Sequence, residues 1–334
     1  MNLQTGITKL LGIDHPIISA PMGPDMTGPE LVAAVSNAGA FGILQAQFAP
    51  PSGLREQIRK TRDRTDKPFG VNFLLHFPVE DQVATALEEK ITALSFFWGD
   101  PSPYVRRAHD AGVLVIHQVG SEEDARRSAE AGVDMIIAQG FEAGGHVAGV
   151  ISTLALVPQV VDAVSPTPVA AAGGIVDARG VAAVLALGAQ AAVLGTRFLA
   201  STESRAHPKY KQRLLEAVGE DTVRTILFGH GWPHAPVRTI RTAFVEEWLG
   251  KEEQGQQSRP DEPVVGHTTI AGQHMPVLRF MGMPPNSDSK GDIELRNLLA
   301  GQAVGQIHDI KPAREIVRDL VQGVREIFEE RASK

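Results

Sequence analysis

The chain has 334 residues, 43% of them hydrophobic and 21% charged, and 39 acidic against 32 basic side chains leave a formal net charge of −7. That length suits one large domain, or one domain plus a smaller lobe, and the acidic balance offers no field for nucleic acid. With no cysteine there can be no disulfide, thiolate metal site, iron–sulfur cluster or cysteine nucleophile; with no long apolar run, no membrane span or signal peptide is expected, and the setting reads as cytoplasmic.

Short β-branched runs alternate with Ala/Leu-rich amphipathic stretches from the start. Pro16–Met22 reads as a strand and Pro29–Asn37 as a helix, followed by Ala40–Ala46 and a helix near Gly53–Arg62. Next come strand Phe69–Leu75 with helix Val79–Glu89, and strand Ile91–Trp98 with helix Pro103–Asp110. Strand Val113–Val119 leads to a helix capped by Ser121, and strand Val133–Gln139 to a glycine-rich loop and helix Thr153–Val164. Strand Pro168–Ala172 with helix Asp177–Leu187, then strand Ala189–Leu194 with a helix after Pro208, complete eight units. One phrase recurs, in Ala111-Gly112-Val113, Ala131-Gly132-Val133 and Leu187-Gly188-Ala189: a helix end, a glycine, then a strand. Strands apolar on both faces suit a covered parallel sheet, and no Gly-x-Gly-x-x-Gly follows the first strand. The expected fold is therefore α/β, a (β/α)8 TIM barrel over 1–222 with a mainly helical extension over 223–334. In that extension Lys251–Pro260 and Arg279–Gly291 read as irregular, Ile293–Ala300 and Pro312–Arg331 as helices, and the last helix is expected to return to the barrel.

Barrel chemistry sits at the C-terminal strand ends. No lysine stands there, and no His-x-His or acidic cluster is present, so Schiff-base and dedicated metal chemistry find no support. The densest signal is Gln139-Gly140-Phe141-Glu142-Ala143-Gly144-Gly145-His146, where paired glycines let backbone approach a flat ligand and His146 can reach its reactive edge. Gly173 and Gly174, then Gly195 and Thr196, occupy the two loops where barrels of this type cradle phosphate. Asn72 lies inside the third strand, and His117 and Gln118 end the fifth. His76, His230 and His234 read as loop histidines, and Trp232 and Trp248 as packing residues of the extension. A phosphate grip with amides and glycines points to a cofactor that brings its own reactivity, and a phosphorylated flavin fits.

Gln139–His146, Ala171–Ile175, Gly195-Thr196-Arg197-Phe198 and Ala20-Pro21-Met22-Gly23 together resemble the nitronate monooxygenase (2-nitropropane dioxygenase) family, over about Thr8 to Ile327. The same scaffold serves flavin-dependent enoyl-ACP reductases and NAD(P)H:quinone reductases. The resemblance implies an FMN site. Asn72, Gln118, Gln139, Gly144 and Gly145 would lie at the flavin, Gly173, Gly174 and the Val193-Leu194-Gly195-Thr196 turn would hold its phosphate, and Pro21, Met22 and Gly23 would approach the ring. His146 matches the catalytic histidine, and Ala300-Gly301-Gln302 the C-terminal segment that returns to the flavin. The implied reaction oxidises an alkyl nitronate such as propionate 3-nitronate with O2 to a carbonyl compound and nitrite. An NAD(P)H-dependent reductase of an enoyl thioester, enone or quinone is the alternative, and a phosphate-ligand sensor a third reading. Two departures fall where substrate would sit: His146-Val147-Ala148-Gly149 replaces the common His-Arg-Gly, and Leu299 replaces a tyrosine. A small-molecule substrate is the expected partner, and a homodimer is compatible with the helical surface.

Overall fold

The computed structural model describes residues 3–332 apart from 46, 258 and 260. Ala46, at the expected end of the second strand, and Ser258 and Pro260 of the expected loop therefore lie outside the described residues. A short helix α1 (Gly6–Leu11) precedes β1 (Ile17–Ser19). The alternation runs α2 (Pro29–Asn37), β2 (Phe41–Gln45), α3 (Pro51–Arg62), β3 (Phe69–Leu74), α4 (Glu80–Glu88) and β4 (Ala93–Phe97). It continues through α5 (Ser102–Asp110), β5 (Leu114–Val119), α6 (Glu122–Glu130), β6 (Met135–Gln139), the two-residue β7 (Gly145–His146) and α7 (Thr153–Val164). Then come β8 (Val169–Ala172), α8 (Ala178–Ala186) and β9 (Ala191–Leu194). All of these strands except β7 close into one parallel barrel, with β9 returning to β1 at Ile18↔Val193.

Local chemistry explains the regularity. Ser121 caps α6 by accepting from the Asp124 N–H, and Asp177 caps α8 by accepting from Arg179 and Gly180. In the recurring phrase, Gly112, Gly132 and Gly188 take φ of +72°, +88° and +95°, the left-handed turn that a side chain resists. Period-two alternation then sorts the strand residues. Ile18, Ile43, Ile116, Ile137 and Val193 fill the interior with Ile7 and Leu11 of α1, while Ile17, Leu44, Val115, Ile136 and Leu194 pack under the outer helices.

Beyond the barrel strands lie α9 (Thr196–Leu199), α10 (Pro208–Glu216), β10 (Thr222–Thr225), β11 (Val237–Ile240) and α11 (Ala243–Trp248). A hairpin of β12 (Val264–Ile270) and β13 (Gln273–Leu278), the two-residue β14 (Lys290–Gly291) and α12 (Ala313–Ala332) follow. Helix α12 presents Ala313, Ile316, Val317, Leu320, Val321 and Val324 on one face and packs against α8 and α2, so it takes the eighth place in the helical ring. Helix α10 instead packs on the 3-10 turn Gln302–Gln306.

Two small antiparallel sheets, β10–β11–β7 and β13–β12–β14, were not assigned from sequence. The helix expected at Ile293–Ala300 is corrected to a single 3-10 turn, Ile293–Leu295. Beyond it the chain stays extended, because the Leu298 carbonyl accepts from the Ile240 N–H at 2.8 Å, Leu299 bridges Thr239, and buried Arg296 donates to the Met283 and Pro284 carbonyls at 2.9 and 3.2 Å. No helix among the described residues is long and apolar enough to cross a membrane.

Candidate active site

A cavity of about 360 Å³ opens at the C-terminal ends of the barrel strands. Its floor is built from amides at strand ends. Gln45, Asn72, Gln118 and Gln139 terminate or approach the ends of β2, β3, β5 and β6, and Gln45 and Asn72 stand opposite each other in the sheet register. Ser95 of β4 holds the Asn72 amide through its hydroxyl at 3.1 Å. The Ala20–Pro24 loop is clamped by buried Thr27, whose hydroxyl accepts from the Met22 N–H at 2.9 Å and donates to the Ala20 carbonyl at 3.2 Å. A Cβ on Gly23 would lie 2.7 Å from the Gln45 side-chain amide, so a larger residue here would have to displace that amide.

The Gln139–His146 loop is held from three sides. Gln139 Nε2 donates to the His146 carbonyl at 3.0 Å, and the Glu142 carboxylate accepts from Thr153 N and Oγ1 at 2.8 and 2.9 Å, pinning the loop to the start of α7. The returning C-terminal segment lies against it: Gln302 N–H donates to the Glu142 carbonyl at 2.9 Å, and a Cβ on Gly144 would meet the Ala300–Gly301 backbone at 2.6 Å. From the extension, β11 pairs with β7 at Val237↔His146, while Arg224 and Arg238 donate to the Val147 and Phe141 carbonyls, each at 3.0 Å in its shorter bond. Beside this loop, Gly173 and Gly174 turn with φ of +107° and +67°, and Thr196 Oγ1 accepts from the Gly301 N–H at 3.1 Å, leaving its own proton to donate. The first N–H groups of α9 have no intrahelical partner by position, so this corner presents donors to an anion.

His146 stands under an aromatic wall. The Trp232 ring centroid is 4.0 Å from that of the imidazole, and Trp98 meets it edge-on at 5.7 Å. Burial pushes the imidazole down to about 3; a backbone hydrogen bond to Ala235 opposes the shift, and nearby His76 adds to it. His146 is therefore neutral across the physiological range, with its Nδ1 buried and unpartnered. Gln139 Oε1 is a second buried atom without a partner. The outer wall is Phe48, Phe77, Phe228, Met281, Met283 and Trp232, and no Lys, Arg, Asp or Glu is among the described lining residues.

Of the residues expected from sequence, Pro21, Met22, Gly23, Asn72, Gln118, Gln139, Gly144, Gly145, His146, Gly173, Gly174, Val193, Gly195 and Thr196 meet around this one cavity. Leu194 does not: alternation turns its side chain to the outer core, and its carbonyl accepts from the Ala20 N–H at 3.0 Å. His117 also points outward, with Nδ1 2.7 Å from Ser128 Oγ on α6. Trp232 is corrected from a packing residue to a cavity wall, whereas Trp248 packs against Phe244 and Phe280. His230 and His76 belong to this neighbourhood too, the first lining the cavity and the second stacked on Trp232 at 4.9 Å. Sequence reasoning missed Gln45, Tyr210 and the Met281–Pro284 strip. Gln45 was accessible by the logic that found Asn72, an amide near a strand end, but the strip carries no local signal.

The nitronate monooxygenase family model matches residues 4–82 and 76–323. The chain is 33% identical to the nitronate monooxygenase of Paraburkholderia phytofirmans, over 99% of this chain and 98% of the relative. It is also 33% identical to the (3aS,4S,5R,7aS)-5-hydroxy-7a-methyl-1-oxo-octahydro-1H-indene-4-carboxyl-CoA dehydrogenase of Mycobacterium tuberculosis, over 96% of each. Among solved structures, FabK from Thermotoga maritima is 36% identical over 99% of each chain, with a TM-score of 0.82. Matches that run nearly end to end, on a barrel whose strand ends converge on one cavity, show that this chain belongs to the nitronate monooxygenase family of oxidoreductases.

Proposed function

We propose that the chain is an FMN-dependent monooxygenase that oxidises alkyl nitronates with O2 to a carbonyl compound and nitrite. The observation that carries this reading is the neutral imidazole of His146 lining a cavity with no Lys, Arg, Asp or Glu among its described lining residues. A histidine held down to about 3 is a weak base at neutral pH, so the fitting substrate arrives already deprotonated, as a nitronate and not as its parent nitroalkane. The His146 ring, which lines the cavity, would then orient it beside the Trp98–Trp232 wall.

The residues present fit FMN. Gln139 Oε1 has no donor among the described residues, and a ring N–H would supply one, with Asn72 and Gln118 beside it. Gly173, Gly174, Gly195 and Thr196 would take the phosphate through backbone N–H groups and the Thr196 hydroxyl. FMN supplies the electron acceptor for the nitronate and the route of electrons to O2.

A second reading, an NAD(P)H-dependent reductase of an enoyl thioester, enone or quinone, is favoured by the uncharged aromatic and methionine wall, which suits a long apolar arm. Relatives named as a CoA dehydrogenase and as FabK point the same way. Anaerobic absorbance of the FMN-loaded protein separates the two. Propionate 3-nitronate should perturb the flavin bands while NADH and NADPH leave them intact. Full bleaching by a nicotinamide, with no response to nitronate, replaces the monooxygenase by the reductase.

A further inference from the structure

We infer that Trp232, carried in by the extension, is a positioning residue of the site: its indole packs against His146, fixes the orientation of that imidazole and restricts its contact with water. The inference rests on the reading of His146 as the group that faces substrate. Trp232 sits in the connection between β10 and β11, yet it is only 7% exposed. Its ring lies 4.0 Å from the His146 ring with an interplanar angle of 35°, and His76 stacks on the indole at 4.9 Å and 11°. Trp98 and Phe77 abut the indole edge-on at 5.2 and 5.3 Å, so it has aromatic neighbours on several sides.

The backbone ties the two partners together. The Trp232 N–H donates to the Gly229 carbonyl at 3.0 Å, and the Val147 N–H donates to the Pro236 carbonyl at 3.0 Å, joining the indole's loop to the strand that carries His146. On the other side of that loop, the His234 N–H donates to Gln256 Oε1 at 2.5 Å. The titratable and charged groups around His146 are His76 after β3, His230 on the indole's own loop, and Arg224 and Arg238 on β10 and β11, while Glu142 on the imidazole's loop is bound to Thr153. Among the described residues no carboxylate acts to hold a proton on the imidazole, so its neutrality rests on limited contact with water, and the indole face against it reduces that contact.

The test is an NMR titration of the holoenzyme with isotope-labelled histidine, the His146 signal being assigned by its loss in His146→Gln. In the parent and in Trp232→Phe, His146 should stay neutral down to pH 5. In Trp232→Ala its midpoint should rise by at least about one unit toward the ordinary histidine value. The pH profile of kcat/KM should gain an acidic limb in Trp232→Ala alone. An unchanged midpoint in a folded Trp232→Ala protein overturns the inference, and so does a midpoint raised equally in Trp232→Phe. Because the titration is read without turnover, a parent enzyme inactive on nitronates would refute the proposed reaction and leave this test standing.

Discussion

The two halves of the cavity wall are made of different material. On the barrel side, the loops after β6, β8 and β9 present glycines, amides and backbone N–H groups. On the extension side, the segments around Trp232 and Met281–Pro284 present aromatic rings and thioethers. The barrel half works by the absence of side chains, most tightly at Gly144, where a Cβ would lie 2.6 Å from the Ala300–Gly301 backbone. The extension half works by bulk and can adjust, because methionine and aromatic contacts repack more easily than a backbone turn. A planar, phosphorylated cofactor suits the first half, and a variable substrate suits the second.

The largest effect should come from filling the barrel half. Gly144→Val places carbon where the Ala300–Gly301 backbone already lies within 2.6 Å, so the loop and the returning segment must part. Overpacking of this kind costs about 1–3 kcal/mol, and loss of FMN retention after gel filtration is the expected readout. Retention of FMN by that variant would show the barrel half to be as pliable as the other.

His146→Ala should do the reverse. It should keep FMN and the melting temperature while lowering nitronate turnover by about 100-fold or more, the scale for losing a positioned proton-handling or hydrogen-bonding group. Full activity would break the assignment of His146.

The smallest effect concerns a second buried imidazole. Burial pushes His117, in the barrel wall, down to about 4, against the opposing pull of Asp124 and Asp100. Above pH 6.5 the folded and unfolded forms are both neutral there and stability is unaffected. Below it the unfolded chain takes up a proton that the folded chain refuses, so stability falls, by about 2 kcal/mol at pH 5. Thermal melts between pH 7.5 and 5 should show a steeper decline for the parent than for His117→Asn, with nitronate turnover at pH 7.5 unchanged. Equal slopes would mean that the unfolded chain sets no such penalty at this position.

Where sequence reading succeeded, the determinants were local. Helices Pro29–Asn37 and Thr153–Val164 lie where periodicity placed them, and Ser121 and Asp177 cap the helices they precede. Where it fell short, the partner was remote. β10 and β11 form because they pair with each other and β11 pairs with Gly145–His146, about 90 residues earlier in the chain, and Ile293–Ala300 is drawn out of helix by Thr239, Ile240 and the Met283–Pro284 carbonyls. The site divides in the same way. Its glycines and amides stood at strand ends that could be counted, whereas Trp232 lay in a stretch with no period to follow.

The sequence by itself determined the eight barrel strands, the first seven helices that follow them and the glycine-rich loop that carries His146, because capping, periodicity and turn chemistry act over a few residues. Only the tertiary structure decided that the last helix completes the ring beside α8 and α2, that Leu194 faces away from the cavity while Val193 lines it, and that an indole from the extension covers the imidazole. Those outcomes depend on which distant surfaces bury one another, and burial is a property of the assembled chain and not of any local run of residues.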